Sequence, residues 1–97
     1  MRMPKGYYIG RVSVHDAEAY KAYAAKATAA IAQYGGRVLA RGGAFEILEG
    51  EARARNVVIE FESVEAARHF YFSPEYTEAR RLRMPISVGD FVIVEGV

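Results

Sequence analysis

Two charged residues on neighbouring predicted strands are the first candidates for chemistry. Arg11 lies in the segment YYIGRVSV, and Glu60 lies in VVIEF. Side chains alternate along a strand, so both point to the same face of a sheet in which these strands are neighbours. A buried guanidinium needs a carboxylate partner. We therefore predict a close Arg11–Glu60 pair, which serves either as a self-satisfied ion pair that sets strand register or as an anchor for an anion or a carbonyl group.

A further cation precedes a pair of glycines. Arg41 is followed by Gly42-Gly43, and glycines inside a strand pattern indicate a bulge, a bend or a close approach to the backbone. In one interpretation Arg41 holds a small carboxylate beside that opening. In the other it is a charged side chain that protects an edge strand from aggregation.

Histidines and tyrosines supply the remaining candidates. Histidine is the usual acid–base residue near neutral pH, but His15 and His69 are far apart and do not provide the ligands of a metal site, so no metal is predicted. Tyr71 and Tyr76 flank a predicted helix break and could line a pocket mouth, with packing as the default alternative. Tyr8 faces away from Arg11 and is the weakest candidate. The predicted ligand-binding residues are Tyr8, Arg11, Arg41, Glu60, His69 and Tyr71. No catalytic residue is assigned.

Composition narrows the class of protein. A chain of 97 residues predicts one domain, 1–97. Thirteen basic residues nearly balance twelve acidic ones, so no strong field attracts nucleic acid or anionic lipid, and neither is predicted as a partner. The absence of cysteine removes thiol catalysis and cysteine-based zinc sites. No phosphate-binding glycine loop is present, so no cofactor is predicted. The first residues lack the apolar run of a signal peptide, and we predict a cytoplasmic protein.

The periodicity of apolar residues and the capping signals predict the order β-α-β-β-α-β. Asp16 and Ser63 begin the two helices, and a Ser73-Pro74 pair restarts the second helix, which carries a basic cluster that a solvated helix end explains (Arg80, Arg81 and Arg83). The predicted elements are strand 7–14, helix 17–34, strand 37–41, a continuation or return strand 44–48, strand 57–61, helix 64–71, helix 74–83 and strand 90–95.

This order is typical of an α+β protein with the ferredoxin-like fold, an antiparallel sheet with two helices on one face. The other face of the sheet is left bare. Hydrophobic residues make up 52% of the chain, so we expect the bare face to expose a large apolar surface. Such a surface must be covered. A second copy of the chain is the simplest cover. We therefore predict a homodimer in a dimeric α/β-barrel arrangement that buries at least the ~1,600 Å² of a standard interface.

The chain also resembles the bacterial domain-of-unknown-function family thirteen-thirty, in the dimeric α/β-barrel superfamily. The resemblance covers roughly residues 7 to 96 and departs from the family at Phe72 and at Met84-Pro85-Ile86. It implies a dimeric barrel formed by two sheets, and no settled activity. The matching motifs are Tyr8-Ile9 with Arg11, Asp16 to Tyr20, Tyr34 to Arg37, Leu39 to Gly43, Leu48 to Gly50, Ile59 to Phe61, Ser73 to Tyr76, and Asp90 with Val94 to Gly96.

Two functions remain open at this stage. The first is a small homodimer that binds a small organic molecule or carboxylate in a pocket of the barrel or between sheet and helices. Other members of the superfamily imply cofactor-free isomerase, lyase or mono-oxygenase chemistry for such a pocket. The second is a non-catalytic module, either a ligand sensor or a structural dimer. A pocket with two convergent titratable groups would favour the first.

Overall fold

Four antiparallel strands carry three α-helices on one face. The computed structural model describes residues 3–97, and its strand order is β2-β3-β1-β4. The predicted ferredoxin-like βαββαβ fold is confirmed, with its second helical region divided in two. The elements are β1 Gly6–Val14, α1 Ala17–Gln33, β2 Arg37–Arg41, β3 Arg55–Phe61, α2 Val64–Tyr71, α3 Pro74–Arg83, a 3-10 turn Met84–Ile86, and β4 Ser87–Glu95.

Side-chain caps begin all three helices. Asp16 accepts a hydrogen bond from the Ala19 N–H, and Ser63 accepts one from Ala66. Ser73 Oγ accepts the Tyr76 N–H at 3.1 Å and donates to the Phe70 carbonyl at 2.7 Å. One hydroxyl therefore ends α2 and begins α3, which confirms that Ser73 is a cap.

The core lies between the sheet and the helices. Alternation along the central strands points Tyr8, Val12, Ile59 and Phe61 toward the helices, where each is at most 3% exposed. They pack against buried aromatic rings from all three helices. The helix-side aromatic residues are Tyr20, Tyr23, Phe70 and Tyr76.

One aromatic ring crosses two strands. Phe91 on β4 lies so close to the backbone that a Cβ at Gly10 would be 2.8 Å from its ring, and a Cβ at Gly89 would be 2.6 Å from it. Both distances are shorter than real contacts allow. The two glycines therefore let Phe91 lie flat on the sheet, where the Arg83 guanidinium covers it at 4.1 Å.

Two predictions about strands are wrong. Residues 43–54 have no regular secondary structure, so there is no strand at 44–48. β4 begins at Ser87, three residues before the predicted start at Asp90. Val88 and Gly89 already pair with β1, because β1 is long enough to provide partners as far as Val14.

The helix-free face of the sheet is partly apolar. Val88, Val92 and Val94 point away from the helices and are 50%, 55% and 47% exposed. In the segment that follows β2, Ile47 and Leu48 are also exposed. No helix within residues 3–97 has the length and apolar character needed to cross a membrane.

Candidate functional site

A cavity of about 400 Å³ lies between α1 and the sheet. It exists because α1 packs along α3 and makes few close backbone contacts with the strands. Small side chains on α1, among them Ala24 and Ala27, keep the space open. Every element except the 3-10 turn contributes to the wall, which is formed by Tyr8, Val12, Tyr20, Tyr23, Ala24, Ala25, Ala27, Thr28, Ile31, Arg41, Arg55, Val57, Ile59, Phe70, Tyr76 and Phe91.

Three tyrosine hydroxyls meet at the cavity wall. The Tyr76 oxygen is 2.8 Å from that of Tyr23 and 3.1 Å from that of Tyr8. Burial, followed by the neighbouring tyrosines, raises the pKa of Tyr8 and of Tyr23 far above the ordinary value, so both remain neutral at physiological pH. The three hydroxyl groups carry three protons, and two of these protons form the two internal hydrogen bonds. The third proton is available for a hydrogen bond to another group in the cavity.

A buried cation lies beside this hydroxyl cluster. Arg83 is 5% exposed, and its guanidinium carbon is 4.1 Å from the Phe91 ring centre and 5.8 Å from that of Tyr23. The Tyr76 hydroxyl is within hydrogen-bonding reach of it. No carboxylate within residues 3–97 forms an ion pair with Arg83, and its Nε has no hydrogen-bond partner there. The prediction of a solvated Arg83 is therefore wrong.

Two more arginines form the rim of the cavity. Arg41 Nη1 lies 3.4 Å from the Thr28 hydroxyl of α1, and the Arg55 guanidinium carbon lies 5.1 Å from the Tyr20 ring centre. The Arg55 Nε is buried and has no hydrogen-bond partner among the described residues. Burial raises the pKa of Tyr20 by more than the neighbouring Arg55 lowers it. This rim tyrosine is therefore also a neutral donor.

A bulge in β2 turns Arg41 toward the cavity. Val38 stands opposite Ile59 and Ala40 stands opposite Val58, so Leu39 is an extra residue. If Leu39 instead took a regular place in the pairing, alternation would send Arg41 to the helix-free face. The predicted bulge at Gly42-Gly43 is therefore misplaced by three residues.

Gly42 lies at a bend, one of the alternatives predicted for this glycine pair. Its φ is +66°, which favours glycine, and a Cβ at this position would lie 2.7 Å from Arg55 Nη1. The group that approaches the Gly42 backbone closely is thus the Arg55 side chain.

The predicted Arg11–Glu60 pair is wrong. The two residues share the helix-free face, but Glu60 stands opposite Tyr7, and Arg11 stands between Asn56 and Asp90. Their strand positions differ by four residues, or roughly 13 Å at ~3.3 Å per residue. Glu60 instead accepts a hydrogen bond from the Tyr7 hydroxyl at 3.1 Å.

Arg11 belongs to a second hollow, of about 520 Å³, on the helix-free face. Asp90 lies there, but it pairs with Arg53 at 2.9 Å, and Arg53 also donates to the Ser13 hydroxyl at 3.0 Å. Of the two acidic residues that line this hollow, Asp90 and Glu51, Asp90 is therefore already engaged by Arg53, while Arg11 is exposed.

The structure divides the six predicted site residues among different surfaces. Tyr8 and Arg41 line the cavity, so the candidate judged weakest is among the most central. Arg11 and Glu60 lie on the opposite face of the sheet. His69 is exposed on α2. Tyr71 is half-buried, with its ring 6.1 Å from that of Tyr8 and 5.4 Å from that of Tyr76.

Sequence reasoning placed Tyr76 at a possible pocket mouth but missed Tyr23 and Arg55 in the cavity wall and Arg83 beside it, and for Arg83 a signal exists. Tyr76 and Arg83 are seven residues apart on α3, with the buried Ala79 between them, so one helical stripe carries all three. Tyr23 lies on an apolar stripe at helical spacing, which predicts a mostly core residue whose hydroxyl needs a partner. Arg55 lies in a polar stretch that reads as a turn. Within residues 3–97 no three histidine or carboxylate side chains are grouped as a metal site requires.

Comparisons with known proteins agree with this fold. A protein of unknown function from Rhodopseudomonas palustris is 22% identical, with a TM-score of 0.79 over 99% of this chain and 85% of that one. SnoaB, a cofactor-independent oxygenase from Streptomyces nogalater, is 13% identical, with a TM-score of 0.69 over 94% of this chain and 91% of that one. A dimeric protein of unknown function and ferredoxin-like fold from Bacteroides fragilis is 14% identical, with a TM-score of 0.58 over 94% and 95% of the two chains.

At these identities the likeness establishes the fold alone. The curated proteins include no match to this chain. The family that matches residues 5–97, nearly the whole chain, is the one described as Domain of unknown function (DUF1330). The chain belongs to that family.

Proposed function

We propose that this protein binds a small, flat organic anion in the cavity between α1 and the sheet. The observation that carries the proposal is the lining: arginines at the rim, neutral tyrosine hydroxyls in the wall, and no acidic side chain among the lining residues. A ligand with an apolar body and one carboxylate or ionised hydroxyl matches this distribution.

The volume and the walls define the size of the ligand. About 400 Å³ is within the range of small-molecule pockets, ~300–1,000 Å³, and is sufficient for one or two fused rings. Val57, Ile59 and Phe70 offer apolar contact, while Arg41 and Arg55 stand where an anionic group would remain near solvent. A group bound deeper would meet the hydroxyl cluster formed by Tyr8, Tyr23 and Tyr76.

The same lining supports cofactor-free chemistry on a substrate that ionises by itself. Fixed hydroxyl donors stabilise an oxyanion such as an enolate or phenolate. Among residues 3–97 no histidine or carboxylate lines the cavity to remove a proton, so the substrate of this proposal is one acidic enough to enter as its anion. An electron-rich carbon in that anion could react with dioxygen: a CH₂ group and O₂ give a carbonyl and water. The fold shared with the cofactor-independent oxygenase SnoaB supports this choice.

The lack of a base also favours a second candidate function, a non-catalytic ligand sensor. Such a protein would bind the same anion in the same cavity and release it chemically unchanged. Oxygen consumption in the presence of a bound ligand distinguishes the two functions.

A homodimer is part of the proposal. Val88, Val92 and Val94 form an exposed apolar row on the helix-free face, and packing that face against a second copy would cover it. The dimeric protein from Bacteroides fragilis with a similar fold supports the same arrangement.

A ligand screen by thermal shift tests the cavity. Flat aromatic carboxylates and acidic phenols would be compared on the wild type and on the Arg41→Ala, Arg55→Ala, Arg11→Ala and Arg81→Ala variants. Arg81 is the matched control, because it lies on the exposed side of α3. We expect a hit whose stabilisation falls in the two rim variants and is unchanged in the control. A hit abolished by Arg11→Ala but retained by both rim variants would move the site to the opposite face and refute the proposal.

A further inference from the structure

A separate hollow of about 470 Å³ lies at the end of α3, beside β4. Its walls come from Tyr71, Arg80, Arg83, Met84, Ser87, Gly89 and Phe91. Among the lining residues of the described chain, Phe91 alone also belongs to the cavity. The hollow is therefore a distinct surface and not an extension of the proposed ligand site.

This hollow is cationic. Arg80 and Arg83 both line it, and no acidic side chain within residues 3–97 does. The Arg80 guanidinium is held over the Tyr71 ring at 4.9 Å, and that of Arg83 is held over Phe91 at 4.1 Å. Aromatic stacking holds both cations in place and leaves N–H groups free for an acceptor.

The buried charge of Arg83 lacks a counter-ion in the described chain. Arg83 is 5% exposed as a residue, and burying its charge costs free energy unless an anion or several hydrogen-bond acceptors replace the lost water. Its Nε has no partner within residues 3–97, and no ion pair there includes it. The Tyr76 hydroxyl offers Arg83 a hydrogen bond but is not a carboxylate counter-ion.

The carbonyl groups at the end of α3 do not fill this role. The Arg80 carbonyl accepts the Met84 N–H, and the Arg83 carbonyl accepts the Ser87 hydroxyl at 2.8 Å. Both are engaged within the turn that ends the helix.

We propose that this hollow is an anion-binding site for a small oxyanion, a carboxylate or a phosphate, held between Arg80 and Arg83. An oxyanion there accepts charge-assisted hydrogen bonds from both guanidinium groups and supplies the negative charge that the Arg83 environment lacks. The site does not depend on the ligand proposed for the cavity, because only Phe91 is shared.

The test titrates the full-length protein with sodium phosphate and, separately, with sodium acetate, at constant ionic strength set by chloride. The readouts are the melting temperature and the NMR signal of the Arg83 Nε–H. The variants are Arg83→Met, which removes the buried charge, Arg80→Gln, which removes the outer cation, and Arg81→Gln, the exposed control on the same helix.

We expect saturable stabilisation of the wild type and of Arg81→Gln, about tenfold weaker binding in Arg80→Gln, and none in Arg83→Met. Saturation by acetate alone identifies a carboxylate site, and saturation by phosphate identifies a site that accepts a tetrahedral anion; either supports the proposal. If Arg83→Met does not fold, the proposal is tested by anion binding to Arg80→Gln and by the response of the Arg83 Nε–H signal in the wild type. An Arg83 Nε–H signal unmoved by both anions, or equal binding in Arg80→Gln and Arg81→Gln, overturns it.

Discussion

Replacing Tyr76 with phenylalanine tests the central group of the hydroxyl cluster. The change removes one oxygen and no ring, so the packing of this fully buried side chain is retained. Two hydrogen bonds are lost, at 2.8 and 3.1 Å, each worth about 1 kcal/mol. The Tyr8 hydroxyl also loses its partner in a residue that is 3% exposed, whereas Tyr23 borders the cavity. The loss should total about 2–3 kcal/mol.

For a domain of this size 1 kcal/mol corresponds to roughly 4–8 °C, so Tyr76→Phe should melt about 10–20 °C below the wild type. Circular dichroism with heating, and urea unfolding, would measure this at one fixed protein concentration. Tyr34→Phe is the matched control, because its hydroxyl bonds to Glu75 at 2.7 Å on the exposed surface and its loss should have a much smaller effect.

The double variant Tyr8→Phe/Tyr76→Phe adds a check on the reasoning. Because the second change removes the hydroxyl left unpaired by the first, the double variant should lose less stability than the sum of the two single variants. Equal melting temperatures for Tyr76→Phe and Tyr34→Phe, or strict additivity in the double variant, would show that the cluster is not a coupled hydrogen-bonded unit.

Three other outcomes are expected. Val92→Lys places a charge in the exposed apolar row and should convert a dimer into the 10.8 kDa monomer in light scattering; a wild type that is already monomeric at micromolar concentration contradicts the dimer. Gly10→Ala should destabilise the protein by about 1–3 kcal/mol in urea unfolding, because its Cβ would overlap the Phe91 ring, and an unchanged midpoint would argue against that packing. Burial raises the pKa of Tyr8 and Tyr23 above the unfolded value of 10.0, so their contribution is constant below pH 10 and is lost as pH rises further. The urea midpoint should therefore fall above pH 10, less steeply in Tyr23→Phe; a flat profile to pH 11 contradicts this.

The helix boundaries followed from local chemistry. Asp16, Ser63 and Ser73 each bond to a backbone N–H within three residues, so the signal and the structure it forms lie in the same short segment. Alternation along β1 likewise placed Tyr8 on the helix side without any knowledge of the rest of the chain.

The site depended on register between distant segments, which no local pattern encodes. Arg11 and Glu60 were correctly placed on one face, but their positions along the strands follow from pairing between segments 49 positions apart in the chain and leave the two residues far from each other. Arg41 lies at the cavity because β2 contains an extra residue, and the sequence of Arg37–Arg41 gives no signal of a bulge. Arg83 was taken for a solvated cation because its burial depends on Phe91, which lies on another element.

The extra residue in β2 also bears on how such a site could change over generations. Deleting Leu39, a single codon, would restore regular pairing and leave Arg41 opposite Val57, on the cavity side of the sheet. The neighbouring strand β3 and the helices would keep their own sequences, and β2 is at an edge of the sheet, where such a deletion disturbs one pairing partner. One in-frame deletion could therefore remove the bulge while the cationic rim and the fold are both inherited unchanged.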